Sequence, residues 1–229
     1  MFAIVDYDTG NTRNLQKALT YLNVPTCLTA DPQTLANADA VILPGVGAFA
    51  AAMDALRSRK LVGVLQQLGR QGKPLLGICL GMQLLFESSS EYGEHAGLGL
   101  LQGHVAALPA SPKVKVPQMG WNQNVIRQSN SPFASIDTAF TYFVHSYYAV
   151  CPEAEIVATV EHGVTVPSIV QANNVIGMQF HPEKSGRVGL AQLAAFKEMV
   201  SANDFSSNWF KSRSECTPLS GRLWSDHGR

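Results

Sequence analysis

Short apolar runs alternate with amphipathic stretches through the first hundred residues of the chain. Residues 2–5 are all apolar and stop at Asp6, the pattern of a strand buried on both faces. Between residues 13 and 22, Leu15, Ala18, Leu19 and Leu22 recur at the spacing of one helical face. Segments 25–28 and 40–43 predict two further strands. Residues 49 to about 68 predict an interrupted helical stretch, with Gly63 and Gly69 as candidate break points. An apolar strand over 74–78 and a helix over 80–86 follow. Strands alternating with helices predict an α/β fold, a mostly parallel central sheet flanked by helices and joined by right-handed connections.

After about His104 the texture changes to short β-like segments, at 114–119, 140–144, 155–160, 166–171 and 175–180. One helix returns over 189–200, marked by Leu190, Leu193, Ala194 and Phe196. No linker or internal repeat divides residues 1–200, which predicts one domain. Residues 201–229 hold seven serines and two of the three tryptophans without a sustained period. That segment reads as an appended, mobile tail; the rival reading is a partner-binding extension using Trp209 and Trp224.

Composition narrows the function classes. Hydrophobic residues make up 46% and charged residues 15%, a globular balance. Lys plus Arg and Asp plus Glu number 17 each, so no net charge points to nucleic acid or an anionic membrane. The N-terminus has no basic leader, and no apolar run approaches the roughly 20 residues of a membrane span. Cys27, Cys79, Cys151 and Cys216 lie far apart without CxxC spacing, which predicts free thiols in a reducing cytoplasm. No His/Cys cluster has metal-ligand spacing, so neither a metal nor a cofactor is expected.

The chemistry concentrates in two places. Gly77-Ile78-Cys79-Leu80-Gly81 ends an apolar strand and opens a helix, the strand-to-helix elbow that presents a nucleophile. The glycines suit a turn with no room for flanking side chains. Cys79 would stand at a helix N-terminus, which favours thiolate, and the Leu80 amide would serve as an oxyanion donor. The alternative, a small buried cysteine at a strand end, stays open on this motif alone. The second place is Gln179-Phe180-His181-Pro182-Glu183. Pro182 biases His181 towards an extended backbone, in which residues two apart share a side, so Glu183 could orient the imidazole against Cys79. A glycine loop, Leu43-Pro44-Gly45-Val46-Gly47, lacks the Gly-Lys-Ser/Thr of a phosphate cradle and suits a turn offering amides to a small substrate or oxyanion.

Together these pieces resemble the class I (triad) glutamine amidotransferases. Within them the pattern is most similar to the glutaminase subunits of imidazole glycerol phosphate synthases. The residues that carry the likeness include Asp6-Tyr7-Asp8-Thr9-Gly10-Asn11, the glycine loop, the cysteine elbow, Gly97-Leu98-Gly99-Leu100 and Pro117-Gln118-Met119-Gly120-Trp121-Asn122. Tyr142-Phe143-Val144-His145-Ser146-Tyr147 and His181-Pro182-Glu183-Lys184-Ser185-Gly186 complete it, in family order. The resemblance implies a flavodoxin-like amidotransferase fold and a Cys79, His181, Glu183 triad. It implies an oxyanion hole at Leu80, Val46 and Gly47, and glutamine held by Gly47, Gln83, Glu91, His145, Ser146 and Tyr147. It also implies a (β/α)₈ cyclase partner in a heterodimer that makes imidazole glycerol phosphate and aminoimidazole carboxamide ribotide. Asn11, Pro117, Met119 and Trp121 are the candidate contacts with that partner. The rival readings are a glutaminase for another synthase (anthranilate or pyridoxal phosphate), a related cysteine peptidase and a catalytically idle docking subunit. The family pattern ends near Val200, so the tail inherits nothing.

Overall fold

The first apolar run forms β1 (Phe2–Val5), and the amphipathic segment after it forms α1 (Thr12–Tyr21), which buries Leu15, Ala18 and Leu19. These elements come from a computed structural model that describes residues 1–8, 12–112 and 114–203. Then follow β2 (Thr26–Thr29), α2 (Pro32–Asn37) and β3 (Ala40–Leu43). The six-residue α2 is too short to show a helical period. It is set by its N-terminus, where Asp31 accepts the Thr34 amide at 2.8 Å and Pro32 takes the first turn. The long helical segment splits into α3 (Phe49–Ser58) and α4 (Leu61–Arg70). Its break falls at Lys60, which adopts φ 59°, and not at Gly63 or Gly69, which both lie inside α4. β4 (Leu75–Ile78) leads into α5 (Leu80–Leu84).

The second half is richer in strands. It holds β5 (Ser88–Ser89), β6 (His95–Ala96), β7 (His104–Ala107), β8 (Gln118–Ile126), β9 (Phe140–His145) and β10 (Tyr147–Val150). β11 (Ile156–Glu161), β12 (Thr165–Ala172), β13 (Val175–Met178) and α6 (Gly186–Ala202) complete the described chain. The strand predicted at 114–119 begins later, at Gln118; Val114 makes only an isolated bridge to Ser111. The helix predicted to end near 200 continues to Ala202. Asn11, Cys216, Trp209, Trp224 and the rest of residues 204–229 lie outside the described residues.

Among the described residues the main sheet has nine strands, in the order β2-β1-β3-β4-β13-β12-β11-β8-β9. From β2 to β13 the pairings are parallel, the helix-flanked sheet expected for an α/β fold, and from β13 to β9 they are antiparallel. A four-stranded sheet, β10-β7-β5-β6, adjoins it. Strands buried on both faces feed two cores. On one side Phe2, Ile4, Ile42 and Ile176 meet Leu15 and Leu19 of α1 and Leu193 and Phe196 of α6. On the other, Ala3, Val5, Val41 and Leu43 meet Phe49, Met53 and Leu56 of α3 and Leu65 of α4. Each such fully buried large side chain contributes about 1.5–3 kcal/mol.

One register decides where the chemistry falls. Neighbouring parallel strands β4 and β13 align Ile78 with Met178, so Cys79 and Gln179 leave the sheet side by side at its carboxyl edge. Parallel α/β sheets place their sites at that edge.

Candidate active site

The elbow after β4 is as tight as its glycines require. A Cβ on Gly81 would lie 1.8 Å from the Leu43 carbonyl oxygen, and one on Gly77 would lie 2.7 Å from the Gly81 carbonyl oxygen. Between them Cys79 holds φ 54°, ψ −113°, a costly conformation for a residue with a Cβ and the one expected of a presented nucleophile. It is pinned there by its amide, which donates to the Met178 carbonyl at 2.8 Å, and by its carbonyl, which accepts the Gln83 amide. The sulfur is buried, with Cys79 only 6% exposed, but it borders a cavity. Burial and presentation, the two readings of this cysteine, therefore coexist.

His181 follows β13 with an extended backbone, φ −94° and ψ 99°. Its amide donates to the Tyr142 carbonyl at 3.0 Å, and its carbonyl accepts the Ser185 hydroxyl at 2.7 Å. Glu183 reaches it by a different route from the straight strand the sequence suggested. Residues Pro182–Lys184 form a 3-10 turn, which swings the carboxylate back so that Oε1 lies 2.8 Å from His181 Nδ1. Both side chains are buried. Burial disfavours the imidazolium, but the Cys79 sulfur and the Glu183 carboxylate outweigh it and raise the His181 pKa to about 9. His181 is thus protonated at neutral pH, with Nε2 buried and free of a hydrogen-bond partner.

A cavity of about 340 Å³ brings most of the expected residues together. Cys79, Leu80 and His181 line it with Val46 and Gly47 of the glycine loop. That loop is pressed onto the elbow: Tyr7 donates its hydroxyl to Pro44 at 2.6 Å, and a Cβ on Gly45 would meet the Gly81 nitrogen at 2.8 Å. Gln83, Glu91 and the segment His145, Ser146, Tyr147 also line the cavity. Glu91 caps α3, accepting the Phe49 amide at 2.6 Å. His145 is turned onto the chain, with Nδ1 2.8 Å from the Tyr147 carbonyl, and burial lowers its pKa to about 4. It is a neutral imidazole with a protonated Nδ1.

The residues expected to face a partner divide between surface and cavity. Met119 and Trp121 lie on the outer face of β8, 65% and 53% exposed, while Pro117 lines the cavity itself. Two neighbours of the sulfur went unremarked in the sequence. The Val144 carbonyl lies 4.0 Å from Sγ and Gln179 Nε2 lies 3.9 Å from it. The register of β13 beside β4 carried the only signal for Gln179. Among the described residues no group of three or more His, Cys, Asp or Glu is arranged to hold a metal ion, and no helix is long and apolar enough to cross a membrane.

Residues 3–198 match the family model for glutamine amidotransferase class-I. The chain belongs to the class I glutamine amidotransferases. Among relatives of this amidotransferase, imidazole glycerol phosphate synthase subunit HisH of Lactiplantibacillus plantarum is 82% identical over 208 residues, 91% of this chain and all of that protein. HisH of Lacticaseibacillus casei is 56% identical over 200 residues, 87% of this chain and 96% of that one. Solved structures share the fold at lower identity. A crystal structure of a glutamine amidotransferase aligns with TM-score 0.69 at 20% identity, covering 87% of this chain and 98% of that one. PurLQS from Thermotoga maritima aligns with TM-score 0.66 at 20% identity, covering 88% and 97%.

Proposed function

We propose that this amidotransferase is the glutaminase subunit of an imidazole glycerol phosphate synthase. In this reading it hydrolyses glutamine to glutamate and passes the ammonia to a cyclase subunit serving histidine biosynthesis. The observation that carries the glutaminase reading is Cys79 on its strained elbow, sharing one cavity with a protonated His181 backed by Glu183. The synthase assignment draws on the 82% identity to the L. plantarum subunit over that protein's whole length.

The chemistry follows from the protonation state. An imidazolium facing sulfur is the partner a thiolate needs in the attack. The Cys79 thiolate adds to the side-chain amide carbon of glutamine, and the carbonyl oxygen becomes an oxyanion. Amides of Leu80 and the Val46-Gly47 loop are the donors for it, each worth about 3–4 kcal/mol in comparable sites. Collapse breaks the C–N bond while His181 gives its proton to the departing ammonia, leaving a thioester and a neutral imidazole. Water then loses a proton to His181 and attacks the thioester, which releases glutamate and the Cys79 thiolate. Glu183 holds the ring and supports its charged form in both halves. Glutamine's α-amino group has acceptors in Glu91 and in the Gln83 side-chain oxygen, since both N–H groups of Gln83 are already donated to Tyr147 and Gln179.

A surface beside the cavity suits the acceptor subunit. Met119, Trp121 and Val125 share one face of β8, with Phe140 on neighbouring β9, and all are about half exposed or more. Apolar exposure of that kind marks a docking face, and the cavity residue Pro117 is two positions from Met119. We assign this face to the (β/α)₈ cyclase, in a cytoplasmic heterodimer. The test is glutamate release from glutamine by the purified chain, alone and with a cyclase subunit, alongside Cys79→Ala. Glutaminase activity retained by Cys79→Ala overturns the mechanism; failure of any cyclase to bind or to receive ammonia overturns the synthase assignment.

A further inference from the structure

Behind the sulfur runs a line of two buried amides, of which the mechanism above uses only the Gln83 oxygen. Gln179, with no exposed surface, sets Nε2 3.9 Å from Cys79 Sγ and accepts at Oε1 from Gln83 Nε2 at 3.0 Å. Gln83 gives its other N–H to the main-chain carbonyl of Tyr147 at 2.8 Å. The line has one consistent direction. A main-chain carbonyl can only accept, so the end of Gln83 that faces it is the NH₂ group. That group has no lone pair to offer, so Gln179 meets it with its carbonyl oxygen and turns its own NH₂ on the sulfur. Flipping either amide would set carbonyl against carbonyl, or N–H against N–H, in a buried place.

We propose that Gln179 is a positioning residue for the nucleophile. Its N–H, fixed in direction by the Tyr147 carbonyl through Gln83, holds the Cys79 sulfur as thiolate and aims it into the cavity. This rests on the reading of Cys79 as nucleophile. An N–H donor favours S⁻ over S–H, whereas the neutral thiol would turn its proton to the Val144 carbonyl, 4.0 Å away. The titratable groups facing the site are His181, with Glu183 behind it, after β13; His145 on β9; Glu91 after β5; and Tyr147 on β10. His181 supplies the opposite charge. Gln179 does not titrate, so its dipole acts alike at every pH at which His181 changes. The line also ties the substrate wall to the nucleophile, because Gln83 belongs to both.

The test follows alkylation of Cys79 by iodoacetamide against pH in the full-length chain, read by mass spectrometry of the Cys79 peptide. Gln179→Met keeps length and removes the donor. Its alkylation midpoint is expected to rise by about one pH unit or more, with kcat for glutamine hydrolysis falling about 10-fold and the melting temperature nearly unchanged. Gln83→Met removes the anchor without touching the N–H that meets sulfur, and its midpoint is expected to rise too. The double variant is then expected to match Gln179→Met, the non-additivity of a shared line. An unchanged midpoint in a folded Gln179→Met overturns the proposal; if that variant does not fold, an unchanged midpoint in Gln83→Met does. Midpoint shifts that simply add overturn the role of Gln83. Alkylation does not depend on turnover, so a glutaminase that survives Cys79→Ala would defeat the underlying mechanism separately.

Discussion

Cys79 sits at a point of conflict between comfort and use, with a left-handed φ that an alanine would bear no better. Cys79→Ala should therefore leave the melting temperature within a few degrees and lower glutamine hydrolysis by at least about 10³-fold; a stopped glutamate assay with thermal melting checks both. His181→Ala should be nearly as severe. Glu183→Gln should lose less, because the carboxylate orients a ring that itself moves the protons; steady-state kinetics with Glu183→Gln as the worse variant would reverse the roles. His145 adds a pH signature. Unfolded, it takes a proton below about pH 6.5, but folded only near 4, so unfolding binds a proton across that window and acid favours it. The stability that His145 contributes above pH 6.5 should decline as pH falls towards 4, by about 2 kcal/mol between pH 7 and 5. Denaturant titrations of wild type and His145→Gln at the two pH values should show the decline flattened in the variant.

At the scale of elements, glycines separate what is forced from what is incidental. Gly81→Ala would drive a methyl into the Leu43 carbonyl, so a loss of about 3 kcal/mol or more, or failure to fold, is expected. Gly63 is exposed inside α4 with nothing within 4 Å of its would-be Cβ, and Gly63→Ala should stabilise by about 0.5–1 kcal/mol. Urea unfolding of both variants reads the contrast. The same contrast explains what was legible beforehand. β1, β3 and β4 are apolar on both faces, and such runs announce themselves, as do the elbow and the His-Pro-Glu cluster. Gly63 invited a break that the helix did not take, because a helix tolerates glycine when its other turns pack, as Leu61, Leu65 and Leu68 do here. The true break at Lys60 depends on a backbone angle with no composition signal. The two-residue strands β5 and β6 and the 3-10 turn at Glu183 were beyond any period, and Gln179 gained its place from sheet register alone.

For the molecule as a whole, Trp121 distinguishes fold from assembly. Its indole is 53% exposed and touches Tyr142 edge to face, with ring centroids 6.1 Å apart. If the proposed docking face is right, Trp121→Ala should melt within a few degrees of wild type, yet bind the cyclase about 30-fold more weakly, the loss of an aromatic anchor of about 2 kcal/mol. Titration calorimetry with the cyclase decides it; normal affinity together with a large drop in melting temperature would make Trp121 a core residue. The strand order carries a consequence for how such a protein is made. β13, the last strand in sequence among the described residues, occupies the middle of the sheet, bonded to β4 on one side and β12 on the other. On a ribosome the parallel half and the antiparallel half must wait, each with an open edge, until residues 175–178 emerge and stitch them together. The same strand leads into His181, so the proposed triad cannot assemble before the sheet has closed.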